Sequence, residues 1–183
     1  MFPAAVLGYV LADIASGLAH WICDTFFREN TLIIGPLFIA PFRDHHRDPM
    51  ALTRHGFLER VGNSSLGLIP LVAIPPSTST AWETFLLAAA AGLLLTNLFH
   101  RWAHLEAPGT WITMFRRAWL ILPRQRHQEH HRGEHRSIYC VTTGWSNAAL
   151  EWSRFYRIAE WLVASTMGQH GATNRRGRRP KNS

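Results

Sequence analysis

Two long apolar segments constrain the fold of this chain more than any other feature. Residues 2–21 and 81–99 each contain one carboxylate and no Lys or Arg. A helix of about 20 such residues is long enough to cross the hydrocarbon core of a bilayer. A third apolar stretch, residues 66–76, is too short to cross alone and predicts a hairpin with 81–99 through a turn at 77–80. The sequence predicts an all-α polytopic membrane protein with about three hydrophobic helical segments.

The composition supports a membrane protein over other basic proteins. A net charge of +7 is compatible with nucleic-acid binding, but 47% hydrophobic residues and eight Trp favour membrane segments with basic flanks. No Lys or Arg precedes Arg28, so we interpret the first segment as a retained span and not as a cleaved signal peptide. Cys23 and Cys140 lack CxxC spacing, which argues against a disulfide framework and a thiolate zinc site. We expect no nucleic-acid partner.

The remaining segments are polar or amphiphilic. Residues 41–62 are rich in Arg and interrupted by Pro49, which predicts a loop at the membrane surface. Residues 110–122 are amphiphilic and divided by two Arg, which predicts an interfacial helix with Trp anchors. One domain is predicted over residues 1–170, followed by a disordered basic tail at 171–183.

The distribution of Lys and Arg predicts the orientation of the chain. Basic residues are concentrated in 41–62 and from Arg101 onward, and are absent from the turn at 77–80. The positive-inside rule places these basic regions on the cytoplasmic side. We therefore expect an integral protein of a bacterial inner membrane, with the carboxyl ends of its long spans facing the cytoplasm.

Histidine is unusually frequent, with eleven His against twelve Asp plus Glu. His20 and Asp24, like His100 and His104, are one helical turn apart, and Asp13 extends the first stripe along a face that should contact protein rather than lipid. One HxxxH pair is weak support for a metal site, but four clusters meet on one membrane face in this topology. The predicted metal ligands are His20, His45, His46, His100, His104, His127, His130 and His131.

The number of imidazoles indicates how many metal ions the site holds. One zinc ion takes three or four protein ligands, whereas eight His can hold two ions and leave positions open. Few carboxylates lie nearby in the sequence, unlike the Glu-rich sites of soluble di-iron bundles. The sequence thus predicts a cytoplasmic-face dimetal site suited to iron.

Four stretches of the chain are similar to the Kua/CarF lipid desaturase family, and the similarity covers roughly residues 11–165. Several long motifs in the same order make the resemblance specific. The stretches are ADIASGLAHWICDT (12–25), GPLFIAPFRDHHRDPMALTRHGF (35–57), TNLFHRWAH (96–104) and ILPRQRHQEHHRGEHRSIYCVTTGWSNAALE (121–151).

The resemblance implies a membrane phospholipid desaturase with two iron ions and O2 as co-substrate, for which plasmalogen vinyl-ether formation is the best specific expectation. Hydrogen would leave two neighbouring carbons of a lipid chain, with electrons from a separate redox partner of cytochrome b5 or ferredoxin type. Asp24, His55 and His135 match family positions and are our candidate catalytic residues. Asp24, Asp44, Asp48 and Glu129 are candidates to orient imidazoles.

Some features leave alternatives open. Gly56 stands where family members commonly have Asp, and residues 59–64 replace a more acidic run, which leaves the activity or the substrate open. A lipid hydroxylase with similar metal chemistry and a non-catalytic metal-binding membrane protein are the alternatives. Tyr139, Trp145 and Asn147 either line a headgroup path or pack at the interface. Family members usually carry a further hydrophobic segment, so we expect either a shortened fold or a start upstream of Met1.

Overall fold

The computed structural model describes residues 1–54, 56, 62, 64–75 and 77–166, and its regular structure within those ranges is helical throughout. The all-α prediction is therefore confirmed for the described residues. His55 and the predicted tail at 171–183 lie outside them. The α-helices are α1 (Phe2–Thr25), α2 (Ala40–Arg47), α3 (Ala51–Arg54), α4 (Ile69–Val72), α5 (Thr80–His104), α6 (Thr110–Arg117), α7 (Arg124–Arg132), α8 (Asn147–Trp152) and α9 (Phe155–Thr166).

Helices α1 and α5 pack side by side and run parallel. Gly8 lies against the backbone of Phe85, and Gly92 lies against Ala12, so contacts advance in the same direction along both helices. Small residues let two membrane helices approach closely where hydrophobicity cannot drive their association. The parallel arrangement brings the carboxyl ends of both helices, with their His residues, to the same end of the molecule.

Both long helices have the length and composition of membrane spans. Only 28% of the apolar window of α1 and 22% of that of α5 are buried. Leu7 and Leu87, for example, are 61% and 71% exposed. The core helix of a soluble protein would bury such residues, so these faces are suited to lipid.

The third apolar segment forms shorter pieces. A 3-10 turn at Leu66–Leu68 continues into α4, and neither is long enough to span a bilayer. Gly67 lies beside Leu93 of α5, in ordinary van der Waals range of an added Cβ. This segment belongs to the connection that returns from the carboxyl end of α1 to the amino end of α5.

Two connecting segments differ from the sequence-based predictions. The predicted surface loop at 41–62 begins instead as helix α2, which continues a π-helix at Gly35–Ile39. Pro41 is the second residue of α2 and lies directly after the junction with the π-helix. The predicted helix at 110–122 ends earlier, at Arg117, and Trp119 adopts a left-handed φ of 58° that cannot continue it.

The chain divides into two compact units, residues 1–148 and 149–183. The first unit contains both long helices and all the candidate ligand groups described below. In the described part of the second unit, α9 groups Phe155, Ile158 and Leu162 around a small apolar groove.

We expect Gly8→Ala to destabilise the protein by about 1–3 kcal/mol, because the new methyl group would collide with the backbone carbonyl of Phe85. Thermal unfolding in detergent measures the effect. Gly133→Ala is the matched control, since its Cβ would lie 3.7 Å from the Glu129 carbonyl oxygen. Equal melting temperatures for the two variants would contradict the close packing of α1 on α5.

Candidate metal centre

The last turns of α1 and α5 carry the first two pairs of candidate ligands. His20 and Asp24 lie one turn apart on α1, with His20 Nε2 3.3 Å from Asp24 Oδ2. His100 and His104 are related in the same way on α5, and both are buried. The imidazole rings of His20 and His100 have centroids 5.6 Å apart, so the parallel helices bring the two pairs together. Asp13 is also fully buried, which confirms that the polar stripe of α1 faces protein.

Helices α2 and α7 supply the remaining imidazoles. His45 and His46 occupy the last turn of α2, and the HxxHH spacing of α7 aligns His127, His130 and His131. The helical form of α2 determines their direction, because neighbouring residues on a helix point about 100° apart.

The candidate donor atoms separate into two adjoining sets, and those within a set lie within 4.8 Å of one another. The first set contains only imidazoles, and the second adds one carboxylate. Each His-His doublet contributes one ring to each set, which explains why the doublets suit two neighbouring metal ions. Set 1 is His45, His100, His104, His127 and His131; set 2 is His20, Asp24, His46 and His130.

Three of the other four imidazoles in set 1 each bring a nitrogen close to one atom, His127 Nε2. It lies 2.9 Å from His100 Nε2, 2.9 Å from His104 Nε2 and 3.0 Å from His131 Nε2. One ring nitrogen carries either a proton or a lone pair, so it cannot satisfy three neighbours by hydrogen bonding. Neighbouring ligands on an octahedral ion with metal–nitrogen bonds of about 2.1 Å would be about 3.0 Å apart. The donor set therefore fits a metal ion.

Set 2 is wider and includes the carboxylate. His46 Nε2 is 3.1 Å from His130 Nε2 and 3.5 Å from His20 Nε2. Asp24 Oδ2 faces all three, at 3.3 Å from His20, 3.7 Å from His46 and 3.8 Å from His130. The structure thus places Asp24, predicted as catalytic, among the candidate ligands.

Two backbone carbonyls fix the orientation of the set 2 rings. His20 Nδ1 donates to the carbonyl of Tyr139 at 3.1 Å, and His130 Nδ1 donates to the carbonyl of Ser137 at 2.6 Å. Because a carbonyl only accepts, the proton lies on Nδ1 and the lone pair on Nε2. Metal-binding His residues are commonly held by such a bond on the second nitrogen.

The loop that provides these carbonyls is anchored by a buried carboxylate that sequence reasoning did not assign to it. Asp13 Oδ1 accepts from the backbone N–H of Thr143 at 2.8 Å and of Gly144 at 2.9 Å. Its Oδ2 accepts from Ser146 N–H at 2.9 Å. Gly144 has φ 78°, a conformation that favours glycine. The signal in the sequence was a lone carboxylate inside an apolar span.

Two residues that follow the last His cluster are structural. Tyr139 is fully buried, and the side chain of Asn147 brackets Cys140 by accepting from its N–H and donating to its carbonyl. These contacts support the packing interpretation over a headgroup path. Trp145 donates its indole N–H to the Trp119 carbonyl at 2.7 Å.

The other predicted residues lie apart from the two sets. His135 has a left-handed φ of 55° and stacks on His46, with ring centroids 4.2 Å apart, but belongs to neither set. The prediction that Asp44, Asp48 and Glu129 orient imidazoles is wrong: they pair with Arg47, Arg54 and Arg126, respectively, on the exposed surface. Their helical or loop positions turn them outward.

Burial keeps the imidazoles outside the spans neutral. It lowers the pKa of His45 and His127 well below 6.5, and neighbouring His residues lower both further. Burial lowers the pKa of both His130 and His131 to about 3. For His131, the nearby His104 contributes to this decrease. Neutral rings offer lone pairs to a metal ion near pH 7.

An apolar cavity of about 340 Å³ adjoins set 1. Helices α1 and α5, the π-helix with α2, and the segment at 64–70 line it, and His45 and His100 form part of its wall. Its volume lies in the range of small-molecule sites. A hydrocarbon chain in this cavity would therefore lie next to the candidate metal ligands.

Comparison with known proteins assigns this chain to a family. A lipid desaturase domain model matches residues 9–174. The chain is 36% identical over 174 residues to plasmanylethanolamine desaturase of Myxococcus xanthus and 38% identical over 184 residues to plasmanylethanolamine desaturase 1 of Mus musculus. It is 28% identical over 171 residues to chloroplastic fatty acid desaturase 4 of Arabidopsis thaliana. No solved structure matches.

The fold and site define a helical protein with two adjoining groups of candidate metal ligands, one of which borders an apolar cavity. More particularly, the chain belongs to the lipid desaturase family, as its motifs predicted. The matches cover 92%, 91% and 90% of this chain, and 62%, 68% and 52% of the bacterial, mouse and plant relatives.

We expect Asp13→Asn to destabilise the protein by about 1–3 kcal/mol, because an amide group would face backbone N–H donors that now meet a carboxylate. Chemical unfolding in detergent measures this loss. Asp48→Asn, at an exposed carboxylate paired with Arg54, should stay within about 0.5 kcal/mol of the parent. Similar losses in both variants would contradict the anchoring role of Asp13.

Metal-free protein should lose stability as the pH falls below about 6.5. The unfolded chain protonates its His residues near 6.5, while buried His130 and His131 resist protonation down to about 3. More protons therefore bind the unfolded state in this window, and each such His costs about 1.4 kcal/mol per pH unit. Denaturant unfolding from about pH 7.5 to about pH 5 measures the slope.

A variant isolates the contribution of one buried His to this pH dependence of stability. His131→Gln should reduce the pH slope by about one proton, whereas Arg126→Gln on the exposed side of α7 should leave it unchanged. A free energy of unfolding that does not change with pH in the parent protein would show that these rings titrate normally.

Proposed function

We propose that the chain is a membrane lipid desaturase that holds two iron ions and uses O2 to form a carbon–carbon double bond. The observation that carries the proposal is the convergence of two adjoining sets of His-rich candidate ligands, the first of which borders an apolar cavity. The relatives named plasmanylethanolamine desaturase favour the alkyl chain of a plasmanyl phospholipid as substrate and a plasmalogen vinyl ether as product.

Sets 1 and 2 would each hold one ion. Set 1 offers five imidazoles, more than the four ligands of a tetrahedral zinc site, which favours an ion of higher coordination number such as iron. Bound iron would supply the activation of O2 that removes two hydrogen atoms from neighbouring carbons. The reaction balances when O2, two further electrons and two protons yield two water molecules and the alkene.

The protein's own residues supply position and environment. The carbonyls of Ser137 and Tyr139 hold the His130 and His20 rings with Nε2 directed inward. The apolar lining of the cavity disfavours water, and a chain held there would lie against the His45 and His100 side of the site. The residues described do not supply the two electrons, so we infer a separate redox partner of cytochrome b5 or ferredoxin type.

The same topology supports a location. The carboxyl ends of α1 and α5, which carry the ligands, lie next to the Arg-containing segments that follow them. By the positive-inside rule, the site would face the cytoplasm, and in a bacterium this would be the cytoplasmic side of the inner membrane. We retain residues 1–170 as the desaturase domain and 171–183 as a basic tail.

Expression in a host that lacks vinyl-ether lipids tests the proposal. We expect acid-labile vinyl ethers to form under air and not under nitrogen, and purified protein to contain about two iron ions per chain. His104→Ala and His130→Ala, one from each set, should each reduce the iron content to about one ion and abolish the double bond.

Glu129→Gln is the matched control, because Glu129 adjoins His130 in sequence but pairs outward with Arg126. It should retain both iron and product. Stoichiometric zinc without iron would overturn the redox proposal, and a hydroxylated lipid would show that the reaction is oxygen insertion.

A further inference from the structure

The two sets of candidate ligands differ in charge. Set 2 contains one carboxylate, Asp24, whose Oδ2 lies within 3.8 Å of all three imidazoles of that set. Set 1 contains imidazoles alone, which are neutral when they bind a metal ion. The charge of a divalent cation would therefore be half neutralised in set 2 and not neutralised in set 1. Because a net charge is costly in a buried environment, this difference favours binding to set 2.

The rings of set 2 are also held from outside the set. His20 and His130 each donate through Nδ1 to a backbone carbonyl, at 3.1 Å and 2.6 Å. The ring of His46 stacks on that of His135, with centroids 4.2 Å apart and planes 15° apart. Every imidazole of set 2 therefore has a contact behind it that restricts the direction of its Nε2. Such contacts strengthen the binding of a metal ion.

Three of the five rings of set 1 lack a contact of this kind. The Nδ1 atoms of His100, His127 and His131 are buried, and they have no hydrogen-bond partner in the part of the chain that the structure describes. Their Nε2 atoms are the nitrogens that face one another. When Nε2 binds a metal ion, Nδ1 carries the proton and needs an acceptor. These rings would therefore bind an ion without the support that set 2 receives.

The cavity lies on the side of set 1. Its wall includes His45 and His100, whereas no ligand of set 2 is among the described residues that line it. An ion held by set 1 would therefore be the one next to a lipid chain in the cavity.

We propose that the two metal sites are unequal, so that set 2 binds its ion first and more tightly, and set 1 binds the second ion more weakly beside the cavity. The inference rests on the proposed two-ion centre and specifies the order in which it is filled. The number of ligands alone predicts the reverse order, since set 1 offers five donors and set 2 offers four. Charge and ring support therefore make a prediction that can be distinguished from ligand number.

Titration of the metal-free full chain with Co2+ in detergent, under nitrogen and against a competing chelator, provides the test. The visible absorption of the bound ion and the heat of binding follow each step. Contacts behind a metal-binding imidazole typically change the affinity about 10–100-fold. We therefore expect two steps of about one equivalent each, with a Kd for the first step about 10–100-fold below that for the second. Two steps of equal affinity in the parent protein would overturn the proposal without reference to any variant.

Two variants assign the steps to the sets. His104→Ala, in set 1, should keep the tight step and lose the weak one. His130→Ala, in set 2, should keep only the weak step. The opposite assignment would overturn the proposal, because the set with more imidazoles would then be the one that fills first.

A third variant tests the contribution of charge. Asp24→Asn keeps an oxygen of similar position but removes the negative charge, so the tight step should weaken about tenfold while the weak step stays unchanged. Asp44→Asn is the matched control, because Asp44 pairs with Arg47 on the exposed surface. It should leave both steps unchanged. An unchanged tight step in Asp24→Asn would exclude the charge difference on which the proposal depends.

Binding of Co2+ is measured without turnover, so the result separates this inference from the proposed function. Two equal sites in a protein that forms the double bond after iron loading would contradict unequal sites and support desaturation. Unequal sites in an iron-loaded protein that forms no double bond would support this inference and contradict desaturation. One ion per chain at saturation would contradict both.

Discussion

The central constraint on this structure is a group of buried imidazole nitrogens that lie within contact distance of one another. His127 Nε2 has three other ring nitrogens within 3.0 Å, and a neutral ring can satisfy only one of them. Burial also disfavours the protonated, charged form of these imidazole rings, because that form would lose its hydration by water. A cation that accepts several lone pairs resolves this conflict, which explains why these residues fit a metal ion.

The scaffold keeps these nitrogens together through contacts outside the site. The parallel packing of α1 and α5 at Gly8 and Gly92 aligns the two helix ends that carry His20 and His100. Asp13, deeper in α1, anchors the loop whose carbonyls orient His20 and His130. Changes at either place should act on the site without touching a candidate ligand.

Periodicity made much of the site predictable. Ligands one turn apart, as in His100 and His104, can be read from helical spacing, and the number of imidazoles indicated two ions. The sequence could not predict that each His-His doublet contributes one ring to each set, because this division depends on how α2 and α7 cross the long helices. The helix at 40–47 was missed since Pro49 and the Arg-rich composition indicated a loop, whereas the break falls only after Arg47.

The parts of the site that the sequence did not predict depend on contacts between residues far apart in the chain. The carboxylates near His in sequence, such as Glu129, turn outward to Arg partners, while Asp13 reaches a loop 130 residues away. The cavity wall combines Ser64 with Asn97 and residues of α1, a juxtaposition that no local pattern encodes.

X-ray absorption at the iron edge of the iron-loaded full chain tests the central claim most directly. The two sets predict nearest neighbours that are mainly imidazole nitrogens at about 2.1 Å, with about four His per iron on average. Coordination dominated by sulfur, or by carboxylate and water oxygens, would contradict the assignment of these buried imidazoles as the metal ligands.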